Sequence, residues 1–151
     1  MYVWRITRQL YDPLDGEGAR RVGGRWNSAG RPVVYTAGSQ SLAILEALIH
    51  LETDLLPRDY MLYRLHVPDE LSMTVITRAQ LPVDWRAPGH DACRAIGDAW
   101  LAGGETALLR VPPAPLREAE ECGYILNPLH PDARQVTVTH GEPFAFDLRL
   151  I

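Results

Sequence analysis

GGRWNSAGRPVVYTAGSQSLAILEALIHL, residues 23–51, is the stretch that decides how this chain folds. It reads as a turn, a strand and a helix in direct succession. Gly23-Gly24 opens a polar turn that Ala29-Gly30 and Arg31-Pro32 close, since glycine frees the backbone and proline fixes it. Val33-Val34-Tyr35-Thr36 has the β-branched and aromatic content of a short strand. Ser39-Gln40-Ser41 offers side-chain oxygens to cap a helix that runs to about Leu51. Leu42, Leu45, Leu48 and Ile49 fall on one arc of that helix, with Glu46 at its margin and Ala43 and Ala47 alongside.

Working outward, residues 2–6 read as a first strand and residues 11–21 as a polar loop. Residues 60–67 alternate, placing Met61, Tyr63, Leu65 and Val67 on one face. Residues 73–77 form another strand candidate, and 81–89 a Pro/Gly-rich connection. Residues 91–101 have helical periodicity, ended by Gly103-Gly104. Residues 107–111 are a short strand, followed by the stiff Pro112-Pro113-Ala114-Pro115. Residues 118–121 suggest a helical turn, and Tyr124-Ile125-Leu126 a strand entering the Asn127–Asp132 turn. Residues 136–138 and 144–148 are the last two strand candidates. No linker or repeat divides the chain, so residues 1–151 are expected to form one α+β domain with mostly antiparallel pairing.

At 151 residues, 46% hydrophobic and 23% charged, the chain can bury one real core. Net charge is −4, which argues against a general nucleic-acid footprint. All fifteen basic residues are arginine, so lysine nucleophiles and Schiff-base chemistry are excluded, whereas forked phosphate grips are not. The two cysteines, Cys93 and Cys122, match no metal spacing. The start, Met1-Tyr2-Val3-Trp4-Arg5, lacks a signal-peptide pattern, and no run approaches the ~20 apolar residues of a membrane span. A reduced cytoplasmic protein is expected.

Several polar residues have both a plain and a chemical reading. Arg25, behind two glycines, is either a surface arginine of a β-turn or a bidentate grip on phosphate or ribose. Asn27 orients its own loop or a ligand amide. Tyr35 is a half-buried strand residue or a platform for a flat ring. Glu46 pairs with His50 one turn on, or stands as a partly enclosed carboxylate. His130, between Pro128 and Pro131, is a turn residue or a ligand contact together with Asn127. No Walker A loop, Rossmann fingerprint or nucleophile elbow occurs.

Order and spacing of two runs, the one quoted above and LLRVPPAPLREAEECGYILNPLHPD, resemble the RES-domain family of bacterial toxins. The resemblance covers nearly the whole chain. It implies a fold similar to ADP-ribosyltransferase toxins: a split, mainly antiparallel sheet with flanking helices around an NAD cleft. It implies NAD as substrate, with no metal and no membrane or direct nucleic-acid role. It also implies a helix-turn-helix antitoxin as partner, and ADP-ribose passed to a protein, to water or to phosphate. Arg25, Tyr35 and Glu46 match the family's catalytic arginine, tyrosine and glutamate. Arg25, Asn27, Tyr35, Asn127 and His130 are the expected NAD contacts. The family's serine departs: the stretch here is Val111-Pro112-Pro113-Ala114, and Pro113 carries neither hydroxyl nor amide donor. That departure leaves room for a non-catalytic domain that only engages an antitoxin. A ribonuclease built on Arg25, Glu46 and His130 fits the acidic charge poorly.

Overall fold

The structure, a computed structural model, describes residues 1–51, 59–89 and 91–151. Among these, seven strands form one sheet: β1 (Tyr2–Arg8), β2 (Val34–Ala37), β3 (Tyr60–His66), β4 (Met73–Val75), β5 (Leu108–Val111), β6 (Gly123–Leu126) and β7 (Thr137–Phe144). Their order across the sheet is β4-β5-β6-β2-β1-β3-β7, and only the β4–β5 pair is parallel. Three α-helices accompany it: α1 (Glu17–Val22), α2 (Gln40–Ile49) and α3 (Asp91–Gly103).

The sheet is split near its middle. β1 pairs with β3 along all of its length, from Tyr2↔His66 to Arg8↔Tyr60. Towards β2 it meets its neighbour at Trp4↔Ala37 alone. Alternation along the strands sends side chains to two cores. Val3, Val34, Leu65, Leu108 and Leu126 pack on one face. On the other, Leu109, Val111 and Ile125 pack with Trp26, Cys93 and Trp100, and Ala37 packs with Leu42 and Ala43 of α2.

Four local readings change. The expected loop 11–21 contains α1, which starts where Asp15 Oδ1 accepts the Glu17 amide at 2.9 Å. Tertiary bonds hold so short a helix: Asn27 Nδ2 donates to the Ala19 carbonyl at 3.0 Å and the Gly30 amide to that of Arg20 at 2.7 Å. Residues 118–121 form no helix, because they are drawn onto the start of α2. Ser39 Oγ donates to Glu121, and the Gly38 amide to the Cys122 carbonyl at 2.9 Å. Of the two last strand candidates, 136–138 extends as β7 to Phe144, whereas 144–148 is strand only at Phe144 and a 3₁₀ turn begins at Leu148; β7 is an edge strand that tolerates Pro143, and its Gly141 lies where a Cβ would come within 2.8 Å of the Tyr63 ring. Finally, α2 buries Leu42 and Ala43 while Leu45 and Ile49 stay 39% and 60% exposed.

Candidate active site

The last of these changes moves Glu46. Residues three and four apart share a helix face, so Glu46 continues the stripe of Leu42 and Ala43 that packs on the sheet. It is half-buried. Burial, the larger effect, pushes its carboxyl pKa up, and the Arg25 guanidinium pulls it back. Among the described residues its oxygens make no hydrogen bond, and the alternative pairing with His50 does not form. The result is a partly desolvated carboxylate whose strongest charged neighbour is Arg25.

Arg25 projects from the turn between α1 and β2. Its Nη1 donates to the carbonyls of Trp85 at 2.7 Å and Ala87 at 3.3 Å, and its Nη2 to that of Arg86 at 3.2 Å. Three of the five N–H donors of the guanidinium are thereby engaged, and the Cys93 thiol is also within its reach. Arg25 therefore ties its own loop to the 85–87 turn. The 85–87 turn is tied in its turn to the proline segment, through Arg86 Nε and the Ala114 carbonyl at 2.7 Å. Pro112 and Pro113 are both buried there, at the end of β5.

Tyr35 stands on β2 beneath this turn. Its hydroxyl donates to Asn27 Oδ1 at 2.6 Å and accepts the Trp26 amide at 3.0 Å. Burial drives the phenol pKa well above its usual value. Gly24 makes the packing feasible, because a Cβ at that position would lie 2.6 Å from the Tyr35 hydroxyl. The second glycine of the pair thus admits a tyrosine ring rather than a ligand backbone.

Asn27, expected as a ligand contact, is instead fully buried. Its Nδ2 serves the carbonyls of Ala19, Ser28 and Arg31 at 3.0–3.2 Å, so it organises the loop. Asn127 and His130 also turn inward on their own segment. Asn127 Oδ1 accepts the Leu129 amide at 3.1 Å, and His130 Nδ1 caps a 3₁₀ turn by accepting the Asp132 amide at 3.1 Å. Among the described residues no hydrogen bond joins either to Arg25, Tyr35 or Glu46.

Arg5 was not among the expected residues. It sits on β1 where the sheet splits, and its Nη1 donates to the Tyr35 carbonyl at 2.9 Å. Its Nε is enclosed without a partner among the described residues. Burial lowers its pKa to about 10, against the opposing pull of Asp15 and Asp12. One signal was available in the sequence: alternation puts Arg5 on the face of Val3, where a core residue belongs.

The site can thus offer a carboxylate, the Arg25 guanidinium beside it and an aromatic ring, while Arg5 lies on the other face of the sheet, among Val3, Asp12 and Asp15. Comparison with known proteins places this arrangement in context. The RES domain model matches residues 2–147. The Prs ADP-ribosylating toxin of a Sphingobium species is 38% identical, over 98% of this chain and 95% of that protein. A protein named Toxin Res from Pseudomonas putida is 40% identical over 99% of both chains. The crystal structure of the Mycobacterium tuberculosis MbcT–MbcA toxin–antitoxin complex superposes with a TM-score of 0.80 at 24% identity, covering 95% of this chain and 84% of that one. In sequence, NAD(+) phosphorylase MbcT of that organism is 34% identical over 64% of this chain and 54% of its own.

Proposed function

The chain belongs to the RES-domain family, and from that membership we propose that it is an NAD-consuming toxin of a toxin–antitoxin pair. The substrate bond is that between nicotinamide and ribose. Breaking it sends the electron pair to nicotinamide, which leaves neutral, and builds positive charge on the ribose carbon and ring oxygen. Glu46 stabilises that charge, or the 2′-hydroxyl beside it, from an environment that strengthens electrostatics by excluding water. The observation that carries this reading is the Glu46 carboxylate itself: half-buried, unpaired among the described residues and next in charge to Arg25.

Arg25 turns its guanidinium, the charge beside Glu46, to phosphate or ribose oxygens. Tyr35 contributes its ring, while its hydroxyl stays with the loop. The acceptor of ADP-ribose is a protein side chain in this proposal. Proline at position 113 removes the hydroxyl that would orient water or phosphate, and the relative named for ADP-ribosylating Prs supports the same outcome. The acceptor nucleophile bonds to the ribose carbon and releases its proton. A helix-turn-helix antitoxin, covering the cleft, is the proposed partner, and the cytoplasm the proposed location.

The test is incubation of purified protein and lysate with NAD labelled in its adenylate. A labelled protein band is the expected product. Free ADP-ribose or its phosphorylated form would move the acceptor to water or phosphate. Intact NAD, with a folded protein, would sink the enzymatic reading and leave an antitoxin-binding module.

A further inference from the structure

We propose that Asp98 of α3 is a positioning residue for this site, fixing through Ser28 the loop that carries Arg25. The inference rests on Arg25 acting as a ligand grip, as proposed above. Asp98 Oδ1 accepts the Ser28 amide at 2.9 Å, and Oδ2 accepts the Ser28 hydroxyl. The backbone carbonyl of Asp98 accepts a third donor, Arg31 Nη1 at 3.1 Å. One residue of α3 therefore holds both ends of the 28–31 segment.

Its neighbour explains why the helix can come so close. Gly97 lies against the Trp26 carbonyl oxygen, which any Cβ at position 97 would overlap. From the opposite side the Tyr35 hydroxyl holds the Trp26 amide at 3.0 Å. Residues 26 and 28 are thus clamped between a helix and a strand, and Arg25 is the next residue along. A bond to an ionised carboxylate is shorter and stronger than one between neutral groups, which suits an anchor that must resist a bound ligand's pull. Arg94, one turn earlier on α3, pairs with Asp91 at 3.3 Å, and among the described residues both Asp98 oxygens serve Ser28.

Displacement of a gripping group by about an ångström is enough to weaken binding and orientation steeply. The prediction is therefore one of affinity more than of chemistry. Asp98→Ala should raise KM for NAD tenfold or more with a smaller fall in kcat. It should also speed hydrogen exchange in the peptide covering residues 23–31 and lower the melting temperature by a few degrees, because the part-buried Ser28 amide loses its acceptor. Asp98→Asn keeps an acceptor for the Ser28 amide and turns an amide donor towards the Ser28 hydroxyl, so it should recover most of these losses. Ser28→Ala should fall between, and it stands in should Asp98→Ala fail to fold. A folded Asp98→Ala protein with parental KM and parental loop exchange overturns the proposal. So does Asp98→Asn behaving no better than Asp98→Ala, since charge at a distance would then be the cause. Parent protein that leaves NAD intact would defeat the enzymatic reading instead, and loop exchange in Asp98→Ala would then decide the anchoring alone.

Discussion

Tyr35 has two functions that a single atom separates. The ring packs against the cluster around Trp26 and is the proposed platform for a flat ligand ring, while the hydroxyl joins Asn27 Oδ1 to the Trp26 amide. Tyr35→Phe would leave both of those buried groups unpaired, at a cost of about 1–3 kcal/mol. Urea denaturation of parent and variant measures this, and equal midpoints would show that the hydroxyl is dispensable to the loop. Glu46 makes a prediction in pH. Its folded pKa lies above the usual glutamate value of 4.5, so folding favours the protonated form. Its contribution to stability is full below the unfolded pKa and is lost as pH rises through the folded one. Glu46→Gln should therefore gain stability relative to the parent on going from pH 4 to pH 7, read from melting temperatures. In catalysis the ionised form acts, so parental turnover should fall on acidification with a midpoint above 4.5. The Gln variant should lack that limb and turn over NAD on the order of 100-fold more slowly. A parental rate in the Gln variant would remove Glu46 from the chemistry.

Among the elements, the segment from the end of β5 to the start of β6 has the most to decide. Pro112 and Pro113 are buried, Arg86 holds the Ala114 carbonyl, and Arg78 Nη2 holds that of Leu116 at 3.2 Å. Pro113→Ser would place a hydroxyl on this wall. The expected result is a shift of product from labelled protein towards free or phosphorylated ADP-ribose, at equal NAD. A buried hydroxyl needs a partner, so thermal stability must be followed in parallel. An unchanged product ratio in a stable variant would show that position 113 does not select the acceptor. The elements also mark where sequence reading succeeds. The helix over 40–49 was legible because Ser39 caps it locally, accepting the Leu42 amide at 3.1 Å. α1 was not, since six residues cannot sustain a helix without the tertiary bonds that reach it. The face of α2 was misjudged for a related reason: periodicity marks an apolar arc, but which edge of the arc meets the sheet depends on where Ala37, Trp4 and Leu116 lie.

For the molecule as a whole, the split between β1 and β2 is the defining feature. Arg5 bridges it where the ladder stops, and burying a guanidinium there favours stability little. Arg5→Met should consequently leave the melting temperature unchanged or raised, as a thermal melt of parent and variant would show. A clearly lower melting temperature in that variant would make Arg5 a needed strut behind Tyr35. The sequence by itself determined the α+β class, most strand positions and the grouping of Arg25, Tyr35 and Glu46 in one run, because turn chemistry, alternation and caps act over a few residues. Only the tertiary structure decided how those residues are placed and paired. It enclosed Asn27, turned Asn127 and His130 towards their own segment, and gave Glu46 a half-buried place beside Arg25. It also brought in Arg5 and Asp98, the latter seventy residues from Ser28. Burial and long-range hydrogen bonds arise only when distant elements meet, and no local pattern encodes which donor will find which acceptor.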